Sequence, residues 1–149
     1  MRDQVSKLGH ELNIVMMDKT RSKANEVDKM VIIGDVNGKD VIILDDMVDT
    51  AGTLCKAADV LLDNGAKSVR AIISHGVLSG KAYENIANSK LTELVLSNSL
   101  DLKTNLNDKE INAMSKIKTI SIAERISTAI YATDRLYSYE TLKNNRNHG

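Results

Sequence analysis

The sequence predicts an α/β protein, a three-layer sandwich around a mainly parallel sheet. Three observations predict it. Val41-Ile42-Ile43-Leu44 is a short unbroken apolar run, as expected of a central parallel strand covered on both faces. Leu54, Ala57, Ala58, Leu61 and Leu62 recur at helical spacing and form one apolar stripe, with Gly65 placed to close that helix as its C′ residue. Ser68 to Ser74, with Val69, Ala71, Ile72 and Ile73, then reads as the next strand. Strand, loop, helix and strand make one βαβ unit.

The remaining elements follow in order. Val5, Leu8 and Leu12 suggest the end of a first helix, and Ile14 to Met17 a short strand. Thr20 to Asp28 is a charged loop whose only apolar residues are Ala24 and Val27, and Met30 to Ile33 returns as a strand. Residues 14–36 therefore read as a flexible hairpin or flap, and residues 19–25 are expected to be mobile. The motif helix is expected at about 52–64. A short helix over 81–88 and a strand over 93–96 come next. Residues 100–114 read as irregular with one or two helical turns. A last strand spans 118–121, and Ile122, Ala123, Ile126, Ala129, Ile130 and Thr133 mark a final helix to about residue 135. Residues 1–142 form one expected domain, and the polar tail 143–149 is expected to be disordered.

Composition excludes several function classes. The 149 residues carry 20 basic and 20 acidic side chains, so no global pull toward nucleic acid or membrane is implied. No apolar run reaches membrane-spanning length and no signal peptide opens the chain. Cys55 is the single cysteine, which excludes a disulfide framework within the chain; it reads as a packed thiol, and a reduced, cytoplasmic setting is expected. Without Pro, Phe or Trp, the core must be aliphatic. The three His show no metal-ligand spacing, and His75 at a strand end reads as structural or as an interface residue.

The chemistry gathers behind the first motif strand. Asp45 and Asp46 sit at its carboxyl end, where open α/β sheets bind ligands. A carboxylate pair can accept from neighbouring sugar hydroxyls directly or through Mg²⁺. Adjacent strand residues point to opposite faces, so both acids serve one site only if the strand has ended there. Asp49-Thr50-Ala51-Gly52-Thr53 then offers hydroxyls and free backbone N–H groups at a helix N-terminus, a ready anion site. Acids before a helix are often mere caps. The coincidence of strand, paired acids, Thr/Gly loop and amphipathic helix favours a binding site.

These residues resemble the phosphoribosyl-diphosphate motif of type I phosphoribosyltransferases. Further segments narrow the resemblance to the ribose-phosphate diphosphokinase family. Asp18-Lys19-Thr20-Arg21-Ser22-Lys23-Ala24-Asn25-Glu26-Val27 looks like its basic catalytic loop, and Ile33-Gly34-Asp35-Val36, Thr53-Leu54-Cys55-Lys56-Ala57-Ala58 and Ser74-His75-Gly76-Val77-Leu78-Ser79-Gly80 also match its pattern. The resemblance runs from near residue 5 to near residue 142 and covers the carboxyl-terminal half of the family's usual length.

The resemblance implies a type I phosphoribosyltransferase-like fold, ATP and ribose 5-phosphate as substrates, and Mg²⁺ as cofactor. It implies that Asp45 and Asp46 hold the ribose 2- and 3-hydroxyls. Asp49, Thr50, Ala51, Gly52 and Thr53 would cradle the 5-phosphate. Lys19 and Arg21 would neutralise the transferring diphosphoryl group; the role of Lys23 is open. The family's amino-terminal half supplies most of the ATP site, so this chain reads as a truncated product, a fragment or half of a split enzyme. Its expected partner is a second copy or a complementary amino-terminal half, and alone it is expected to be inactive. Tyr137-Ser138-Tyr139 falls where the family has a regulatory Ser-x-Ser segment, and Leu136 replaces the first Ser. The alternatives are a non-catalytic synthetase-associated regulator and a salvage phosphoribosyltransferase. The second would need a base-recognition hood, for which no candidate segment exists.

Overall fold

The computed structural model describes residues 16–20 and 29–134. Strands β1 (Met16–Thr20) and β2 (Lys29–Ile33) pair antiparallel as a separate two-stranded hairpin. The rest alternates: β3 (Asp40–Val48), α1 (Gly52–Asp63), β4 (Ser68–Gly76), α2 (Ala82–Asn88), β5 (Glu93–Ser97), α3 (Asp108–Met114), β6 (Ile117–Ile120) and α4 (Ala123–Asp134). The four later strands form one parallel sheet in the order β3-β4-β5-β6. This is the α/β architecture with a parallel sheet that the sequence predicts.

Strand order equals chain order, so each crossover steps the same way across the sheet. Right-handed crossovers in one direction deliver their helices to one face. The side chains that point there are Val69, Ala71, Ile73, Leu94, Leu96 and Ile117, none more than 5% exposed. Helix α1 packs on β4, α2 lies against α1 and α3, and α3 reaches β6. The core beneath them is aliphatic apart from the buried Tyr83, whose hydroxyl accepts from the Lys103 backbone N–H at 3.0 Å. On the other face Leu44, Ile72 and Val95 stand side by side across three strands. Apolar residues on both faces are the pattern of a parallel sheet built for two covering layers.

Local signals explain the helix ends. Gly65 adopts φ 90°, with its N–H bonded to Leu62 O and the Ala66 N–H to Leu61 O. That pair of bonds is the Schellman closure, and it confirms Gly65 at C′. Lys116 sends its ammonium to the carbonyls of Ile86, Ala87 and Ser89 at 3.2, 3.2 and 2.6 Å. A cation there satisfies the last acceptors of α2 and complements the negative end of its dipole.

Helix α3 opens with a reciprocal box. The Glu110 N–H donates to Asn107 Oδ1, and the Asn107 N–H donates to Glu110 Oε2, both at 3.0 Å. Lys103 Nζ adds contacts of 3.1 and 3.0 Å to the same carboxylate. The Asn107 backbone N–H, then Lys103, hold the Glu110 carboxyl below its ordinary range. A depressed carboxyl stabilises the fold above its unfolded pKa and loses that contribution as pH falls through the folded value. Glu110→Gln should therefore lower Tm at neutral pH, and the gap to the parent should close as pH falls below about 4. Melting curves across pH check this; a gap unchanged down to pH about 2 would contradict it.

Several boundaries depart from expectation. Strand β3 does not stop at Leu44 but runs to Val48, carrying Asp45 and Asp46 inside it. Lys19 lies in β1, opposite Met30, and not in the hairpin loop. Residues 108–114 supply the one or two helical turns expected within residues 100–114. Arg21, Lys23 and the tail from residue 143 fall outside the described residues.

Candidate functional site

The site is built at the carboxyl rim of the sheet, where β3 passes into α1. The strand's backbone stays in the ladder through the acids, with Asp45 opposite Ile73 and Met47 opposite His75. Asp45 and Asp46 thus alternate in direction. The alternation is softened because the Asp46 N–H donates to Asp45 Oδ1 at 2.8 Å, which folds that carboxylate back along the main chain. Both acids are exposed. Among the described residues no group of three His, Cys, Asp or Glu side chains could hold a metal by itself. Two exposed carboxylates suit a Mg²⁺ ion that keeps its waters and shares substrate oxygens.

The loop after β3 supplies the anion-binding geometry. Asp49, Thr50, Gly52 and Thr53 are exposed, whereas Ala51 is 4% exposed. Ala51 is the N-cap of α1, in the left-handed region at φ 60° and ψ 0°. No side chain caps this helix and its first turn holds no acidic residue. The first backbone bond in the turn runs from the Cys55 N–H to Ala51 O at 2.9 Å. The N–H groups before Cys55 are the free donors that every helix start leaves, and here no side chain of the helix takes them up. With the positive dipole end behind them they favour an anion such as a phosphate.

Two side chains that the sequence reading missed fix the loop from behind. Ser79 Oγ donates to Asp49 Oδ1, and Asn85 Nδ2 donates to Thr50 O at 2.8 Å. The Val77 and Leu78 N–H groups add bonds to Val48 O at 2.9 and 3.2 Å. Ser79 lies within a segment that the sequence singles out, but Asn85 sits 35 residues from its acceptor and carries no local signal. His75 Nδ1 lies 2.9 Å from Ser99 Oγ. Ser97 and Ser99 hydroxyls donate to Ser74 O at 2.6 and 3.1 Å, tying the rims of β4 and β5 together. Burial raises the Cys55 thiol above its ordinary pKa, so it is a packed thiol and not a nucleophile.

The remaining predicted residues are less tightly assembled. Lys19 belongs to the β1–β2 hairpin, whose strand β2 contacts α1, the helix that follows the loop of residues 49–51. The hairpin is thus attached beside the site without being part of its sheet.

Parallel sheet, rim acids and uncapped helix start together are of the phosphoribosyltransferase-like α/β class. The chain belongs to the phosphoribosyl synthetase-associated domain family, whose model matches residues 8–144. It is 51% identical over 119 residues to a ribose-phosphate pyrophosphokinase of Helicobacter hepaticus, covering 80% of this chain and 36% of that protein. It is 46% identical over 132 residues to ribose-phosphate pyrophosphokinase 3 of Saccharomyces cerevisiae, covering 89% of this chain and 39% of the other. The fold superposes on the crystal structure of phosphoribosylpyrophosphate synthetase from Mycobacterium smegmatis with TM-score 0.69 and 29% identity, over 90% of this chain and 40% of that one. The chain therefore spans well under half the length of the relatives it matches.

Proposed function

We propose that this chain is the ribose 5-phosphate-binding part of a ribose-phosphate diphosphokinase. The complete reaction moves the diphosphoryl group of ATP to the 1-hydroxyl of ribose 5-phosphate, yielding phosphoribosyl diphosphate for nucleotide biosynthesis. The observation that carries the proposal is the uncapped N-terminus of α1 behind the exposed acid pair, in a chain whose relatives bear that enzyme's name.

Each residue has a role derived from its chemistry. The N–H groups of residues 51–54 and the Thr50 and Thr53 hydroxyls bind the 5-phosphate. Asp45 and Asp46 accept from the ribose hydroxyls and orient the sugar; they are also the residues that would hold Mg²⁺. When bound, Mg²⁺ neutralises charge on the transferring group. Lys19 and Arg21 place positive charge where negative charge develops, and positioning with charge stabilisation is the main source of rate in phosphoryl transfer. Asp49, tied to Ser79, shapes the loop.

ATP is the second substrate, and its site is completed by a complementary amino-terminal half or across a contact with a second copy. The proposed setting is cytoplasmic, and no helix among the described residues is long and apolar enough to cross a membrane. The test mixes ATP, ribose 5-phosphate and Mg²⁺ with the chain, alone and with an amino-terminal half from a relative, and follows AMP release. Release that needs both polypeptides and ribose 5-phosphate supports the proposal. Robust release by the chain alone would show the ATP site to be misassigned. Silence in both arms would favour a synthetase-associated regulatory chain.

A further inference from the structure

Ala51 is a buried residue in the left-handed region, a conformation its Cβ disfavours. Something must hold it there. The Asn85 side-chain amide donates 2.8 Å to the carbonyl of Thr50, the oxygen of the Thr50–Ala51 peptide. A trans peptide is planar, with its C=O and N–H on opposite sides. Drawing that carbonyl onto the Asn85 amide therefore turns the Ala51 N–H away from Asn85. Rotating this peptide by half a turn would carry Ala51 from φ 60° to about −120°, out of the left-handed region, and would aim its N–H the opposite way. That rotation would also break the bond to Asn85.

We infer that Asn85 is a positioning residue for the phosphate loop: its amide locks the Thr50–Ala51 peptide so that the Ala51 N–H faces the bound phosphate. The inference rests on the reading of residues 49–53 as the sugar-phosphate site. The platform that carries Asn85 is firm. On the same short helix, Tyr83 is buried and bonded to the Lys103 backbone, while Lys116 caps the helix end. Ser79, from the loop before that helix, pins Asp49 at the start of the phosphate loop. The loop is thus held at two adjacent residues by one neighbouring segment. The bond to Thr50 O is the one that sets the direction of the Ala51 N–H, whereas the bonds to Val48 O set that of Asp49.

The test titrates ribose 5-phosphate into the ¹⁵N-labelled chain and into its Asn85→Leu, Ala51→Gly and doubly substituted forms, with calorimetry for affinity. In the parent, the Ala51 amide resonance should move on binding. Asn85→Leu should weaken binding about ten-fold, as for loss of one hydrogen bond to a charged group, and should abolish the Ala51 shift. Glycine at position 51 tolerates positive φ without a lock. In that background Asn85→Leu should cost no more than about three-fold. This rescue separates peptide orientation from general damage to the fold. Unchanged affinity in a folded Asn85→Leu chain would overturn the inference while leaving the phosphate site standing. An equal loss in both backgrounds would overturn it too. No binding by the parent would overturn the phosphate site itself and the inference with it.

Discussion

Truncating Leu94 to Ala is expected to destabilise the chain by about 3 kcal/mol. Leu94 is fully buried, stands between Ala71 on β4 and Ile117 on β6, and faces the helical layer. Both flanking strands are held in the ladder, so the sheet cannot close over the lost volume. The core also lacks Phe and Trp side chains that could swing in. The cost is then the lost transfer of the side chain plus the cavity it leaves. Urea denaturation of parent and variant measures it. A loss below about 1 kcal/mol would mean that this part of the core is looser than its burial indicates.

Lys19→Ala is expected to lower the rate of AMP release by about a hundred-fold or more, in whichever assembly turns over. An ammonium that meets the diphosphoryl group only as it transfers stabilises the transition state more than the ground state. The loss should fall on kcat, with the apparent affinity for ribose 5-phosphate nearly unchanged, because the proposed sugar site lies on another element. Lys19→Arg should keep part of the rate, since the charge survives while its reach and geometry change. An unaffected kcat would remove Lys19 from the chemistry. A rise in KM alone would make it a substrate-binding residue.

Much of the fold is legible because its cues are local. The apolar stripe of α1 and the need for positive φ at Gly65 mark a helix and its end without any tertiary information. The strand β3 is legible only to Leu44. Asp45 and Asp46 end the apolar pattern, yet Asp45 and Met47 still pair with β4, and at the rim the carboxylates stay in water. The strand therefore continues at no desolvation cost. Helix α3 is legible only as a turn or two within residues 100–114. Its few apolar residues give weak periodicity, although Asn107 and Glu110, three residues apart, are a helix-start signal open to a closer reading.

The candidate site divides along the same line. Residues 45–53 are legible as a block because strand end, acids and helix start are contiguous. Asn85 is illegible because its partner lies across the fold and it belongs to no spacing pattern; Ser79 stands in a segment the sequence singles out, but nothing local shows its bond to Asp49. Lys19 is legible as a cation by resemblance, but its charged surroundings hide the β-ladder that pairs it with Met30.

The central claim is that the start of α1 binds the phosphate of ribose 5-phosphate. A crystal structure of the chain with saturating ribose 5-phosphate and Mg²⁺ tests it most directly. The account predicts phosphate oxygens within hydrogen-bond distance of the backbone N–H groups of residues 51–54, with the ribose hydroxyls toward Asp45 and Asp46. Sugar phosphate bound elsewhere on the chain, or no sugar phosphate at the start of α1 under saturating conditions, would contradict it.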